Sequence, residues 1–242
     1  MRIALVSDLH GNALAVEQVL NRIRFDGADQ LICLGDVATL GPEPERVMEL
    51  LHESGATCIL GNHDEFMLRP ETVAEYTTIS VLIDAIDWCR ANLSAASLEF
   101  MRSFRERYEV PLNAQEVLLA FHGTPASNTT DLLSTSDPTP VEEWIGAVPG
   151  SVLVGGHTHL QMLRQHRGRL LVNPGSVGMP FREYVGGGPP EVLPFAEYAV
   201  IDSDSHSVEV RLQRVNLDVT LLRGSVLAVD YPLASFLVKA YS

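Results

Sequence analysis

Five times along this chain a short apolar run, about one strand long, ends in a small cluster of aspartate, asparagine or histidine. The runs are Ile3 to Val6, Leu31 to Leu34, Thr57 to Leu60, Val117 to Phe121 and Val152 to Val154. The clusters that follow them are Asp8-Leu9-His10, Gly35-Asp36, Gly61-Asn62-His63-Asp64, His122-Gly123 and Gly156-His157-Thr158-His159. In α/β proteins the carboxyl ends of strands open onto a common crevice, where a loop can aim a side chain without disturbing the ladder. The pattern therefore predicts one site assembled from five loops, and a fold able to bring five strand ends together.

The spacing of apolar residues fills in the rest. After Asn12, the residues Leu14, Val16, Val19, Leu20 and Ile23 recur at helical intervals, and Val47, Leu50 and Leu51 do so after the Pro42 to Pro44 stretch. The first sixty residues thus read β-α-β-α-β, which implies parallel strands with right-handed crossovers. Between Asp64 and Tyr108 the pattern is helical, predicting an insertion over about 70–107 beside the site. It reads either as a packed lid or as a specificity device. From Tyr108 onward strands dominate, and Leu217 to Leu237 reads as a final helical region broken at Pro232. Each sheet must bury one face on another layer, so the expected class is α/β with two sheets inside and helices outside. A chain of 242 residues, 46% hydrophobic, can form a single domain over 1–242.

Charge narrows the function. Against 31 acidic residues stand 17 Lys and Arg, for a net charge of −14; such a chain repels a polyanion, which excludes a DNA-coating role and makes duplex nucleic acid an unsuitable partner. Cys33, Cys58 and Cys89 lack C-x-x-C spacing, which argues against a disulfide framework or a thiolate zinc site. Cys33 and Cys58 read as small buried residues on neighbouring strands. The first strand-length run is too short for a signal peptide, and no later run reaches the length of a membrane span. The expectation is a cytoplasmic protein without a membrane partner; a homo-oligomer is left open. Gly186-Gly187-Gly188-Pro189-Pro190 reads as a surface loop, since no lysine and Ser/Thr follow as in a phosphate-binding P-loop.

The clusters suit divalent metals. On an extended segment Asp8 and His10 share a face and can share a cation. Asp36 offers two oxygens, enough to bridge two ions about 3.5 to 4 Å apart. His157 and His159 can serve one ion each, with Asn62 and His122 adding an amide oxygen and an imidazole. This mixed nitrogen and oxygen set suits Mn, Fe, Zn, Co or Ni better than Ca or Mg. Two divalent ions against the carboxylates of Asp8 and Asp36 leave the centre positive, so it attracts an anionic substrate despite the global charge. A histidine beside a strand is ordinarily structural; five in motif positions, His10, His63, His122, His157 and His159, are not explained that way. His52, His166 and His206 fall outside the clusters and are expected to be solvated.

The ordered set D-x-H, G-D, G-N-H-D, H and G-H-x-H, running from Asp8 to His159 and followed by Asn173-Pro174-Gly175-Ser176-Val177-Gly178, resembles the calcineurin-like metallophosphoesterase superfamily, in particular its small prokaryotic phosphodiesterase branch. The resemblance implies a four-layer αββα sandwich with two mixed sheets. It places Asp8, His10, Asp36 and His159 on one ion and Asp36, Asn62, His122 and His157 on the other, with manganese the expected activator. It also implies hydrolysis of phosphoesters, small phosphodiesters above all, by a metal-bridging hydroxide. His63 would be the general acid, and Asp64 would orient its imidazole through a hydrogen bond. A phosphatase acting on dinucleoside polyphosphates or phosphoproteins is the alternative; a non-catalytic scaffold would be expected to have lost some of these residues, and none is missing. Asn12 would face the phosphate or cap a helix. Arg69 and Arg182 are the arginines nearest the motifs.

Overall fold

Strand alternation explains the layers. In the computed structural model, which describes residues 1–241, strand β1 (Arg2–Val6) turns Ile3 and Leu5 to one side and Ala4 and Val6 to the other, and all four are buried. A strand covered on both faces reads as a continuous apolar run rather than an alternating one. Ile3 and Leu5 join a core shared with the second sheet, whereas Ala4 and Val6 pack under helices.

The remaining strands are β2 (Gln30–Cys33), β3 (Thr57–Cys58), β4 (Tyr108–Pro111), β5 (Val117–Ala120), β6 (Val152–Val154), β7 (Gln161–His166), β8 (Arg169–Pro174), β9 (Phe195–Ser203) and β10 (Val208–Asn216). One sheet has the order β10-β9-β1-β2-β3 and the other β4-β5-β6-β8-β7. Both are mixed. In the first, β1, β2 and β3 run parallel and β9 is antiparallel to β1; in the second, β5, β6 and β8 run parallel, with antiparallel β4 and β7 at the edges. The inner faces meet through Ile3, Leu5, Ile32, Leu118, Ala120, Val152 and Val154. The parallel strands of both sheets therefore end at the same rim of the sandwich, where the five clusters lie.

Helix α1 (Ala13–Asp26) buries Val16, Val19, Leu20 and Ile23 on the outer face of the first sheet. Each such aliphatic chain contributes about 1.5–3 kcal/mol on leaving water. The helix is capped by Asn12, whose Oδ1 accepts from the Ala15 amide at 3.1 Å while its Nδ2 donates to the Gly178 carbonyl at 3.0 Å. Asn12 is thus a cap that also ties the 173–178 loop to the rim. Helix α2 (Pro44–Ser54) starts on a proline and lies beside α1. The predicted insertion holds α4 (Val73–Tyr76), α5 (Ser80–Ala91) and α6 (Ala95–Arg102), after α3 (Asn62–Leu68). Ile86, Cys89 and Met101 from it share the apolar cluster of α1 and α2. On its way back, Arg105 extends the sheet edge by a parallel bridge to Ile59.

The fourth layer is thin. Helix α7 (Pro138–Ile145) covers Leu119, Phe121, Leu153 and Leu171 on the outer face of the second sheet, while α8 (Val219–Leu227) and α9 (Ala234–Ala240) pack on α5. His166, expected to be solvated, is buried instead: it closes β7 and its Nε2 lies 3.0 Å from Glu142 of α7, a partner that sequence spacing does not reveal. His52 and His206 are exposed as expected. Cys33 and Cys58 are register partners across β2 and β3, and all three cysteines are free and buried. No described helix is long and apolar enough to cross a membrane.

Candidate metal centre

Three of the five clusters leave their strands through an unusual backbone conformation. Asp8, His10, Asp36, His157 and His159 all have positive φ, between 42° and 67°. For residues other than glycine this left-handed region is sparsely populated, and such strain persists only where the surroundings hold it, commonly at functional sites. Asp8 and His10 consequently do not share a face by lying on an extended segment, as the spacing suggests. The strand ends at Val6, and the two side chains converge because the backbone turns beneath each of them. Gly35 has φ +106° and lies so close to the Gly61 amide that a Cβ would sit 2.6 Å from its nitrogen. Only glycine lets these two loops meet and carry Asp36 and Asn62 to one place.

Two groups of ligand atoms result. Asp8, His10 and His159 form one and Asp36, His122 and His157 the other, each with its donor atoms within 4.8 Å of one another. Asp36 Oδ2 lies 3.3 Å from His122 Nε2 and 3.9 Å from His10 Nε2, so one carboxylate oxygen faces both groups. Asn62 Oδ1 is 3.1 Å from His122 Nε2 and joins the second group. All seven residues predicted as ligands are therefore brought together.

The donor set fits cations. His159 Nδ1 is 2.7 Å from the Met179 carbonyl, so it carries the proton and leaves Nε2 with a lone pair. That lone pair faces His10 Nε2 at 3.1 Å and Asp8 Oδ1 at 3.5 Å. His122 Nδ1 likewise donates to the Leu34 carbonyl at 2.7 Å, turning Nε2 toward two oxygen acceptors. Asp8 Oδ1 and Asn62 Nδ2 are buried without a hydrogen-bond partner. A buried, unpaired carboxylate oxygen among nitrogen lone pairs is costly unless a positive charge joins it. The local electrostatics express the same demand: burial disfavours a charged His122, yet Asp36, by charge and hydrogen bond, and then Asp8 push it to about 9. A divalent cation bound among these groups would supply that positive charge. Burial pushes Asp8 up to about 6, with His122 opposing and Asp36 reinforcing; Asp36 itself, despite its burial, is held well below the usual carboxylate range by His122, His63 and His10.

His63 stands over the first group, its ring edge-on to His10 at 5.2 Å. Burial brings it down to about 4, opposed by Asp36, and its Nδ1 has no partner. The expected hydrogen bond from the His63 ring to Asp64 is absent. Asp64 instead accepts from the backbone amides of Asp36 at 2.8 Å, Gly61 at 2.9 Å and Val37 at 2.9 Å. Successive residues on a helix point in different directions, so His63 and Asp64 at the start of α3 cannot face each other. Asp64 turns back to the helix start and locks the loop that presents Asp36. Its carboxylate oxygens are thus engaged by backbone amides and not by the His63 ring.

The comparisons with known proteins agree with this geometry. Residues 1–189 match the model of the calcineurin-like phosphoesterase superfamily domain. The chain belongs to that superfamily. It is 27% identical to phosphodiesterase YfcE of Escherichia coli, over 86% of this chain and 91% of that one. It is 29% identical to a symmetrical bis(5'-nucleosyl)-tetraphosphatase of Thioalkalivibrio sulfidiphilus, over 81% and 78% respectively. A metallophosphoesterase of Sphaerobacter thermophilus, 23% identical, shares its fold with a TM-score of 0.78 over 100% of this chain and 98% of that one. The chain is accordingly a metal-dependent phosphoester hydrolase of this superfamily.

Sequence reading missed Asp131. Its Oδ1 lies 3.3 Å from His157 Nε2, and its Oδ2 accepts from the Tyr184 hydroxyl at 2.7 Å. A carboxylate on one ring nitrogen fixes the ring and leaves Nδ1 free as a metal ligand, the usual outer support of such a histidine. No motif marks it, since it sits in an irregular loop far along the chain from His157. Asp131→Ala is expected to weaken one of two metal sites by about 10- to 100-fold and spare the other. Two equal, unaltered affinities in a metal titration would remove Asp131 from this role.

Proposed function

We propose that the chain hydrolyses small phosphodiesters with two divalent transition-metal ions, manganese serving for activity, in the cytoplasm. Asp8, His10 and His159 would hold one ion, Asn62, His122 and His157 the other, and Asp36 would serve both. The observation that carries this is the single Asp36 oxygen facing both groups. When bound, two such ions polarise phosphoryl oxygens and lower the pKa of water enough to supply a nucleophile near neutral pH. The protein's own part is to place the phosphorus before this centre and His63 beside the leaving oxygen.

The preference for diesters rests on the surrounding charge. A monoester carries an extra negative charge, which sites commonly meet with free arginines. Here Arg69 is paired with Glu65, and Arg182 lies 2.6 Å from Glu191. The tetraphosphatase among the relatives supports the polyphosphate alternative. Against it, the cavity of about 400 Å³ beside the second group is lined by Glu65 and Glu106, with Arg69 and the ligand His122 as its basic side chains. With manganese, kcat/KM for bis-p-nitrophenyl phosphate is expected to exceed that for p-nitrophenyl phosphate. A tenfold preference for the monoester would overturn the diester reading.

A further inference from the structure

The insertion sets a polar group over the metal centre that the reading above does not use. Tyr76, at the end of α4, packs its ring against His63, with centroids 5.8 Å apart and planes at 78°, and against Phe66 at 5.0 Å. Phe66 is itself 5.1 Å from His63. Three rings from two helices thus form one wall on the His63 side of the site. The hydroxyl end of Tyr76 is turned inward: it lies beside the Asn62 side-chain amide and within electrostatic reach of Asp36, Asp131 and Asp8. The residue is nonetheless 46% exposed, so a molecule entering the site can touch it.

A phosphoryl group bound here presents oxygens that need donors besides the metal ions. Most side-chain donors nearby are committed elsewhere. Arg69 is held by Glu65 and Arg182 by Glu191; the Asn128 amide donates to Glu65 at 2.9 Å, and the Asn12 amide to Gly178 at 3.0 Å. His63 is reserved for the leaving oxygen. Besides the buried Asn62 amide, Tyr76 is a donor at the centre that none of these pairs holds.

We propose that Tyr76 is a catalytic residue, its hydroxyl donating a hydrogen bond to a nonbridging oxygen of the bound phosphoryl group; the inference rests on the phosphoester hydrolysis proposed above. As a neutral donor it stabilises charge developing on that oxygen without adding a charge of its own. The insertion then supplies chemistry as well as packing, and the His63 to Tyr76 wall becomes the side from which the ester group enters.

The test compares wild type, Tyr76→Phe and Tyr76→Ala, each loaded with manganese, in calorimetric titration with inorganic phosphate and in turnover of bis-p-nitrophenyl phosphate. Tyr76→Phe keeps the ring and removes only the hydroxyl. It is expected to bind phosphate about tenfold more weakly, as for loss of a hydrogen bond to a charged group. Its kcat/KM should fall about 100-fold, as for loss of one oxyanion donor, with two ions per chain retained. Phosphate affinity and turnover equal to wild type in Tyr76→Phe would overturn the proposal, even if Tyr76→Ala were impaired, because the ring alone would then matter. Loss of metal from Tyr76→Phe would also overturn it, by making Tyr76 a support for Asn62. A wild-type protein inert on every phosphoester would sink the hydrolase reading, while the phosphate titration would still decide on Tyr76.

Discussion

Replacing Asp36 by alanine is expected to empty or scramble both metal sites at once, with loss of turnover. Its Oδ2 faces His122 at 3.3 Å and His10 at 3.9 Å, so one oxygen reaches toward both groups. Removing one negative charge about 4 Å from a cation costs about 4 kcal/mol per unit charge at an effective dielectric of 20, or roughly a thousandfold in affinity. Asp36 also accepts from the His63 backbone amide at 2.9 Å, so alanine disturbs the start of α3 as well. Asp36→Asn separates these effects, because its amide oxygen can keep that hydrogen bond without the charge. Both variants should fold by circular dichroism, and both should carry far fewer than two ions by elemental analysis. Full metal content and wild-type turnover in Asp36→Ala would show that the bridging position belongs to another residue.

The residues of the centre were legible because the chemistry recurs in a local form: an apolar run, then a ligand. The layers were legible for a related reason, since Ile3 to Val6 and Val152 to Val154 are apolar at every position, as strands covered on both faces must be. What stayed hidden depends on contacts between distant segments. The positive φ of Asp8 and His157 leaves no mark in residue type, because neither is glycine. Asp64 looked like the partner of its neighbour His63, but its real partners are amides on a loop some twenty-eight residues earlier in the chain. Asp131 and Tyr76 belong to irregular or short helical segments, where no period announces which side chain turns inward. His166 shows the same limit in the core, its partner Glu142 being supplied by α7 on the outer face of the second sheet.

His63→Gln is expected to keep both metals and the fold and to lower kcat by about 100- to 10,000-fold, the range for losing one acid or base group. Its backbone amide, not its ring, holds Asp36, so the substitution leaves the bridging carboxylate in place. The size of the loss should depend on the leaving group. In the metal-free chain, burial outweighs Asp36 and leaves the imidazole near 4, hence neutral at pH 7. Serving as an acid therefore requires that the anionic phosphoryl group raise this pKa once bound, since an opposite charge nearby favours the protonated ring. For alkyl esters, whose leaving oxygen needs a proton, wild-type kcat should fall as pH rises through the pKa of the bound complex, and that limb should vanish in the variant. A p-nitrophenolate leaves without a proton, so its ester should lose less. Equal losses for alkyl and nitrophenyl diesters, with no change in the pH profile, would rule out proton donation. His63 would then act as a neutral donor that stabilises charge on the phosphoryl oxygens.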